Sequence, residues 1–321
     1  TWETSVITNV GLDLGLFSNK VQINLDYFEK DCEDCIVRLP IPSTLGASVA
    51  PFQNVGKISN KGWEANVTYN NNIGKFNYSA NFNISQVKNK IVDINGLEDW
   101  ISGNTINMEG EPIGAYYALK SLGIYQTPEE VTEHGINDAN LAPGDLKYED
   151  LNEDGLINGD DRQIIGNPFP KFNYAFNVSA QYKGFDLSAF FQGIEGIDRF
   201  YWYHTENTGN FTRDILDHWS VDNTDARFPR LGNEANNSQF SSFYLRDASY
   251  LRLKNLNIGY SLPQSVMDKI FAESLRVYFS GYNLLTFTSE EDYDPERATG
   301  DDRNRQYPGA KVISFGLNIT F

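Results

Sequence analysis

The sequence predicts an all-β chain forming the wall of a transmembrane antiparallel β-barrel with long extracellular loops, and three observations predict it. The chain ends on Ile313, Phe315, Leu317, Ile319 and Phe321, alternating with Ser314, Gly316, Asn318 and Thr320. Successive side chains of a strand point to opposite faces, so this is one strand with one apolar row. Similar alternation recurs over windows of roughly ten residues, longer than the ~5 to 6 of an ordinary strand and suited to the roughly 9 to 11 that a tilted strand needs to cross a bilayer. Connections alternate between tight turns and long loops, the asymmetry of porin-like barrels.

In chain order, a first strand ends at a turn at Ser18-Asn19. Val21, Ile23, Leu25 and Tyr27 then alternate with Gln22, Asn24 and Asp26, and a loop is expected near 30–60. Trp63, Ala65, Val67 and Tyr69 alternate with Glu64, Asn66 and Thr68, and a turn over 70–74 leads into 76–85, where Phe76, Tyr78, Ala80, Phe82 and Ile84 oppose Asn77, Ser79, Asn81, Asn83 and Ser85. The stretch 87–170 reads as a long extracellular insertion. Phe172, Tyr174, Phe176, Val178, Ala180 and Tyr182 oppose Asn173, Ala175, Asn177, Ser179 and Gln181, and the Lys183-Gly184 turn returns the chain through 185–192. Strands at 250–260, 275–284 and 310–321 follow, separated by loops at 194–247 and 286–310. Counting gives nine strands, or eleven if 87–170 supplies two. With the turns near 18, 72 and 183 on the periplasmic side, the carboxyl terminus falls on that side too. The odd count leaves the first strand without a partner and implies strands upstream, because an open sheet edge is not viable in lipid. Phe17, Tyr69, Phe76, Tyr182, Phe185, Tyr260 and Phe321 lie beside the short turns, as in an interfacial girdle. A soluble sandwich explains the alternation equally well, but not the strand length, the loop asymmetry or the terminal Phe.

Composition sets further bounds. No window approaches the roughly 18 consecutive apolar residues of a membrane helix, so any span must be a closed barrel. A formal net charge of -17 over 321 residues argues against nucleic acid, whose phosphates demand a basic surface. Cys32 and Cys35 form one C-x-x-C, without a second pair to complete a zinc tetrahedron; a small disulfide or two free thiols are the readings it supports. The opening TWETSVITNVG carries no secretory leader pattern, so a mature or truncated chain is expected.

Specific motifs narrow the class. VGKISNKGWEANVTYN, PGDLKYEDLNEDGLINGDDRQIIGNPFPKFNYAFNVSAQYKGFDLSAFFQG, DASYLRLKNLNIGYSLP, LRVYFSGYNLLTFT with DYDPE, and the terminal YPGAKVISFGLNITF together resemble, in order and over essentially the whole chain, the carboxy-terminal part of SusC/RagA-type TonB-dependent transporters. The resemblance implies the C-terminal portion, about 9–11 strands, of a 22-stranded barrel in the outer membrane of a Gram-negative bacterium. It implies active import of oligosaccharides or peptides with a SusD-like surface lipoprotein as lid, and contact with the TonB complex through an N-terminal part. The plug and signal peptide are expected to lie outside these residues. The terminal row of Ile313, Phe315, Leu317, Ile319 and Phe321 is what barrel insertion machinery is expected to read. The runner-up is a secreted, calcium-stabilised β-sandwich for binding or adhesion; a dockerin-bearing carbohydrate hydrolase ranks last, because only one dockerin-like loop is present.

Few residues suggest chemistry. Asp150, Asn152, Asp154, Gly155, Leu156, Asn158 and Asp161 follow the order of a twelve-residue calcium loop over 150–161, with Asp161 in place of the usual Glu. The same residues suit a loop of Asx turns that bond their own backbone. No cofactor is otherwise required. Trp100, Tyr201, Trp202, Tyr203 and Trp219 fall in outer loops, where they could contact a substrate or lid or pack on one another. No nucleophile signature, phosphate loop or His spacing suggests an enzyme.

Overall fold

One antiparallel sheet dominates the molecule. Its nine strands are β1 (Thr4–Leu16), β2 (Val21–Arg38), β3 (Phe52–Ile73), β4 (Phe76–Asp93), β5 (Phe172–Tyr182), β6 (Phe185–Glu195), β7 (Tyr250–Ser261), β8 (Ser274–Thr288) and β9 (Val312–Thr320), each paired with the next. The computed structural model describes residues 2–38, 52–201, 213–290, 293–296 and 309–321. Because β4 pairs directly with β5, the insertion adds no strand to the wall, and of the two expected counts nine is the one that forms.

Register follows the alternation. Phe82 and Phe191 flank Phe176 across β4, β5 and β6, and Phe279 meets Phe315 across β8 and β9 with ring centroids 5.4 Å apart. A slip of one residue would carry all these rings to the opposite face. They are not covered: Phe82 is 39% exposed, Phe176 39% and Phe315 82%. A two-sheet sandwich would bury these rings in a dry core, so that alternative is not the fold.

At one end three connections are tight turns, and the fourth, between β7 and β8, carries a short helix at Gln264–Ile270. Lys183 and Gly184 both have positive φ, 48° and 90°, as a two-residue type I′ hairpin turn requires. The turn expected over 70–74 contracts to Gly74-Lys75, because β3 continues to Ile73 and pairs it with Phe76. At the other end the strands outrun expectation. Much of the loop expected over 30–60 is strand, and β4 reaches Asp93, so the insertion lies beyond that residue. There the alternation gives way to cross-strand charge pairs, Lys61 with Glu29 at 2.6 Å and Lys57 with Asp31 at 2.5 Å, which hide the strands from a hydrophobic pattern. In β7 a bulge at Lys254 between Leu253 and Asn255 shifts the apolar row from odd to even positions.

The main buried core lies outside the wall. Ala118, Leu119, Leu146 and Tyr148 from the insertion meet Ile197, Phe200, Tyr201, Phe228, Tyr244 and Ala248 from the connection between β6 and β7. Two long loops thereby fold together as one assembly at the long-loop end.

Candidate functional site

The face of the wall opposite the phenylalanines is lined with neutral amides and hydroxyls that bond across strands. Asn24 donates to Asp13 at 2.6 Å, Asn66 to Asn24 at 3.2 Å, and Asn81 to both Asn66 and Thr68 at 2.7 Å. Ser79 and Ser179 are 2.7 Å apart. Near the tight turns the same face carries Arg276 on Asp186 at 2.6 Å and an open cleft of about 450 Å³ lined by Lys20, Asn70, Asn77, Ser79, Ser179 and Gln181. Such a surface is satisfied in water and would be costly against hydrocarbon.

Aromatic rings mark two levels on the apolar face. Beside the tight turns, Phe76 contacts Tyr78 and Tyr182 at 5.1 and 6.1 Å, Tyr69 lies 5.7 Å from Tyr78, and Phe185 lies 4.4 Å from Tyr260. Toward the other end Trp63 lies 6.4 Å from Phe172 and donates to Gln86 at 3.2 Å. From Phe172 to Tyr182, at about 3.3 Å per residue and a tilt near 40°, the levels are roughly 25 Å apart, the height of a barrel's apolar band.

The loop assembly is keyed by one carboxylate. Asp145 is buried and accepts from Arg230 at 2.7 and 3.0 Å, Asn233 at 2.8 Å and Asn237 at 3.1 Å. Asn237 in turn accepts the Leu146 N–H at 2.8 Å, and Tyr148 donates to the Asn236 carbonyl at 2.8 Å. Burial pushes the Tyr148 hydroxyl well above its usual range and that of Tyr125 up to about 12, so both remain protonated. Sequence reasoning missed this knot. Its one local signal is PGD: Gly144 has φ +94°, and a Cβ there would collide with the Trp219 ring.

The expected contact aromatics divide. Trp219 is buried against Gly144 and donates to Gln126 at 3.0 Å; Tyr201 is buried and stacked on Tyr293 at 5.1 Å. Trp100 packs with Leu97 and Ile58 against Cys35 and Cys32, which are joined as a disulfide. For Tyr201 and Trp219 the structure shows packing within the loops rather than open faces. Trp202 and Tyr203 lie outside the described residues. Ile313, Phe315, Leu317 and Ile319 share the exposed apolar row of β9, and Phe321 just beyond it is exposed.

In the 150–161 loop Asp150, Asp154, Asn158 and Asp161 each accept nearby backbone N–H groups. Asp150 accepts the N–H of Gly155 at 2.8 Å, Asp154 that of Leu156 at 2.8 Å, and Asn158 that of Asp160 at 2.8 Å. Asn152 donates to Asp154 at 3.0 Å. Asp161 is buried and accepts from Leu151 at 2.9 Å and Asn158 at 2.8 Å. Gly155 takes φ +77°. Among the described residues no three His, Cys, Asp or Glu side chains converge as a metal-holding group.

An apolar outer face, an amide-lined inner face, tight turns at one end and a folded loop assembly at the other define part of a transmembrane β-barrel of the outer-membrane type. The chain belongs to the TonB-dependent receptor family, since residues 1–284 match the model described as TonB dependent receptor-like, beta-barrel. It is 35% identical to TonB-dependent receptor P3 of Formosa agariphila over the whole chain and 34% of that protein. It is 25% identical to TonB-dependent receptor SusC of Bacteroides thetaiotaomicron, again over the whole chain and 32% of that protein. The fold superposes on the structure of the RagAB peptide transporter with a TM-score of 0.82 at 27% identity, covering all of this chain and 36% of that one. The chain thus spans about a third of the length of the relatives it matches.

Proposed function

We propose that this chain forms the wall and outer loop assembly of an outer-membrane importer that takes up oligosaccharides or peptides, with a SusD-like surface lipoprotein closing the outer mouth. The carrying observation is the pair of unlike faces on one sheet: exposed phenylalanines on one side and a ladder of neutral amides on the other. Amides and hydroxyls bond sugar hydroxyls and peptide groups without demanding charge, which suits both cargo classes and supplies no covalent chemistry. The name of one structural neighbour, a peptide transporter, supports the peptide class. Energy from TonB and insertion through the terminal apolar row belong to the same proposal for the whole receptor. The test is uptake of labelled oligosaccharides and peptides by cells carrying the full-length receptor, against a deletion strain. TonB-dependent uptake of either class is expected; a receptor present in the outer membrane that binds and imports neither would sink the reading.

For the 150–161 loop we propose that Asp150, Asn152, Asp154, Asn158 and Asp161, with the Leu156 carbonyl, take calcium. What supports this is the order of the donors; a carboxylate oxygen that accepts one N–H keeps a second lone pair for an ion. Calcium should then raise the proteolytic resistance of the loop, and Asp154→Ala should abolish that gain. Equal resistance in calcium and in chelator would leave an Asx-turn loop.

A further inference from the structure

Arg252 is a buried cation set apart from the Asp145 knot of the loop assembly. Arg252 stands on the amide-lined face of β7, opposite Gln192 and Thr286, with its side chain only 5% exposed. Its guanidinium donates to Asp294 at 2.5 Å, Glu296 at 2.6 Å and the Thr286 hydroxyl at 2.9 Å. Lys254, the bulge residue, reaches Glu296 at 2.8 Å. Among the described residues, two cations therefore face two anions.

The acids belong to the DYDPE motif, and their other bonds make a strap of 293–296. Asp294 accepts the N–H of Gly309 at 2.6 Å and that of Glu296 at 3.1 Å, while Asn283 donates to the Ala310 carbonyl at 3.1 Å. A Cβ on Gly309 would lie 3.3 Å from Asp294 and 3.5 Å from Arg252, so the closure leaves little room. Burial opposes ionisation of Asp294, but Arg252 and then the Gly309 and Glu296 N–H groups outweigh it and hold the carboxyl below its usual range. The neighbouring Tyr293 lies on Tyr201 at an interplanar angle of 29°, and Tyr201 donates its N–H to Tyr244 at 2.9 Å inside the loop assembly. An unbroken path of contacts thus runs from the barrel wall through the strap into the assembly.

We propose that Arg252 is the positioning residue of the outer mouth: it seats the strap on the inner face of β7 and, through the Tyr293–Tyr201 stack, fixes where the loop assembly stands relative to the wall. The purpose of that positioning, holding the mouth in its cargo-accepting arrangement, rests on the importer reading; the coupling itself does not. A buried guanidinium suits the task because its planar fork fixes two carboxylates in direction as well as distance.

The test uses the full-length receptor in outer-membrane vesicles. Arg252→Gln should speed amide exchange about tenfold at Glu296 and Gly309 and also at Tyr201, with Arg252→Lys partly restoring protection. Release at Glu296 and Gly309 with Tyr201 unchanged would make the strap a local tie and overturn the proposal, as would no change anywhere. If Arg252→Gln does not assemble, Asp294→Asn carries the same expectation without leaving a carboxylate unpaired. In uptake, Arg252→Gln should raise the half-saturating cargo concentration while maximal rate per assembled barrel is kept, and Arg252→Lys should recover part of it; an unchanged half-saturation would also overturn the proposal. A wild-type receptor that imports nothing would remove the importer reading and leave the exchange result standing.

Discussion

The wall and the loop assembly are made from one chain by opposite rules. In the wall the largest apolar side chains are left exposed, and the strands are held by backbone ladders with polar rungs such as Asn81 on Asn66. In the assembly the aromatics turn inward, and a buried carboxylate at Asp145 is enclosed by its partners as in a soluble domain. Cost therefore follows different rules. In the wall it is set by the solvent a face meets; in the assembly, by whether a buried group keeps its partner.

The sharpest way to break that contrast is to strike the assembly at its key. Asp145→Ala strips the acceptor from Arg230, Asn233 and Asn237 and should cost about 3 kcal/mol of assembly stability, the lower end for breaking a buried pair because Arg230 keeps some access to water. Proteolysis of the long loops should become rapid while the barrel keeps its heat-modifiable migration on gels. Coupled loss of both would show that the wall depends on the assembly after all. Next in size is the wall itself. Phe176→Arg should cost ~2 to 4 kcal/mol in denaturant titrations in lipid, against ~0 to 1 for Asn177→Arg on the neighbouring face. Equal costs at these adjacent positions would erase the distinction between the two faces.

The wall was largely legible in the sequence because its rule is local. Period-two alternation gave β5 its bounds at Phe172–Tyr182 and placed the Lys183-Gly184 turn. Legibility failed where the surroundings are the same on both sides: beyond the bilayer β2, β3 and β4 run on as charge-paired ribbons, and Glu29 opposite Lys61 carries no hydrophobic period. The bulge at Lys254 was also hidden, since a shift from Leu253 to Leu256 reads as noise in a short strand. The assembly was not legible at all. Asp145 finds Arg230 across 85 residues, and Arg252 finds Asp294 across 42; no spacing within one segment announces such pairs. The calcium-like order of 150–161 shows the converse, a strong local pattern whose carboxylates already have backbone partners.

The smallest expected effect sharpens the comparison because it touches only one of the two regions. His134 closes the Pro128–His134 helix in the assembly and bonds the buried Tyr125 hydroxyl. Burial, reinforced by the Lys147 ammonium and only partly offset by Asp150, holds its imidazole below the usual histidine range. A group whose folded pKa is depressed binds more protons when unfolded, so its contribution is complete above the ordinary value of 6.5 and is lost as the pH falls through the lower folded value. The long loops should therefore become more susceptible to protease on mild acidification, while the wall, judged by its gel migration, stays unchanged over the same interval. His134→Gln keeps a polar group beside Tyr125 but cannot titrate, so it should flatten the acid limb of loop protection. An unaltered limb in His134→Gln would move the pH sensitivity to another group, with the half-buried Asp198, whose carboxyl partial burial raises, opposing it in sign: a raised carboxyl favours the assembly as the pH falls.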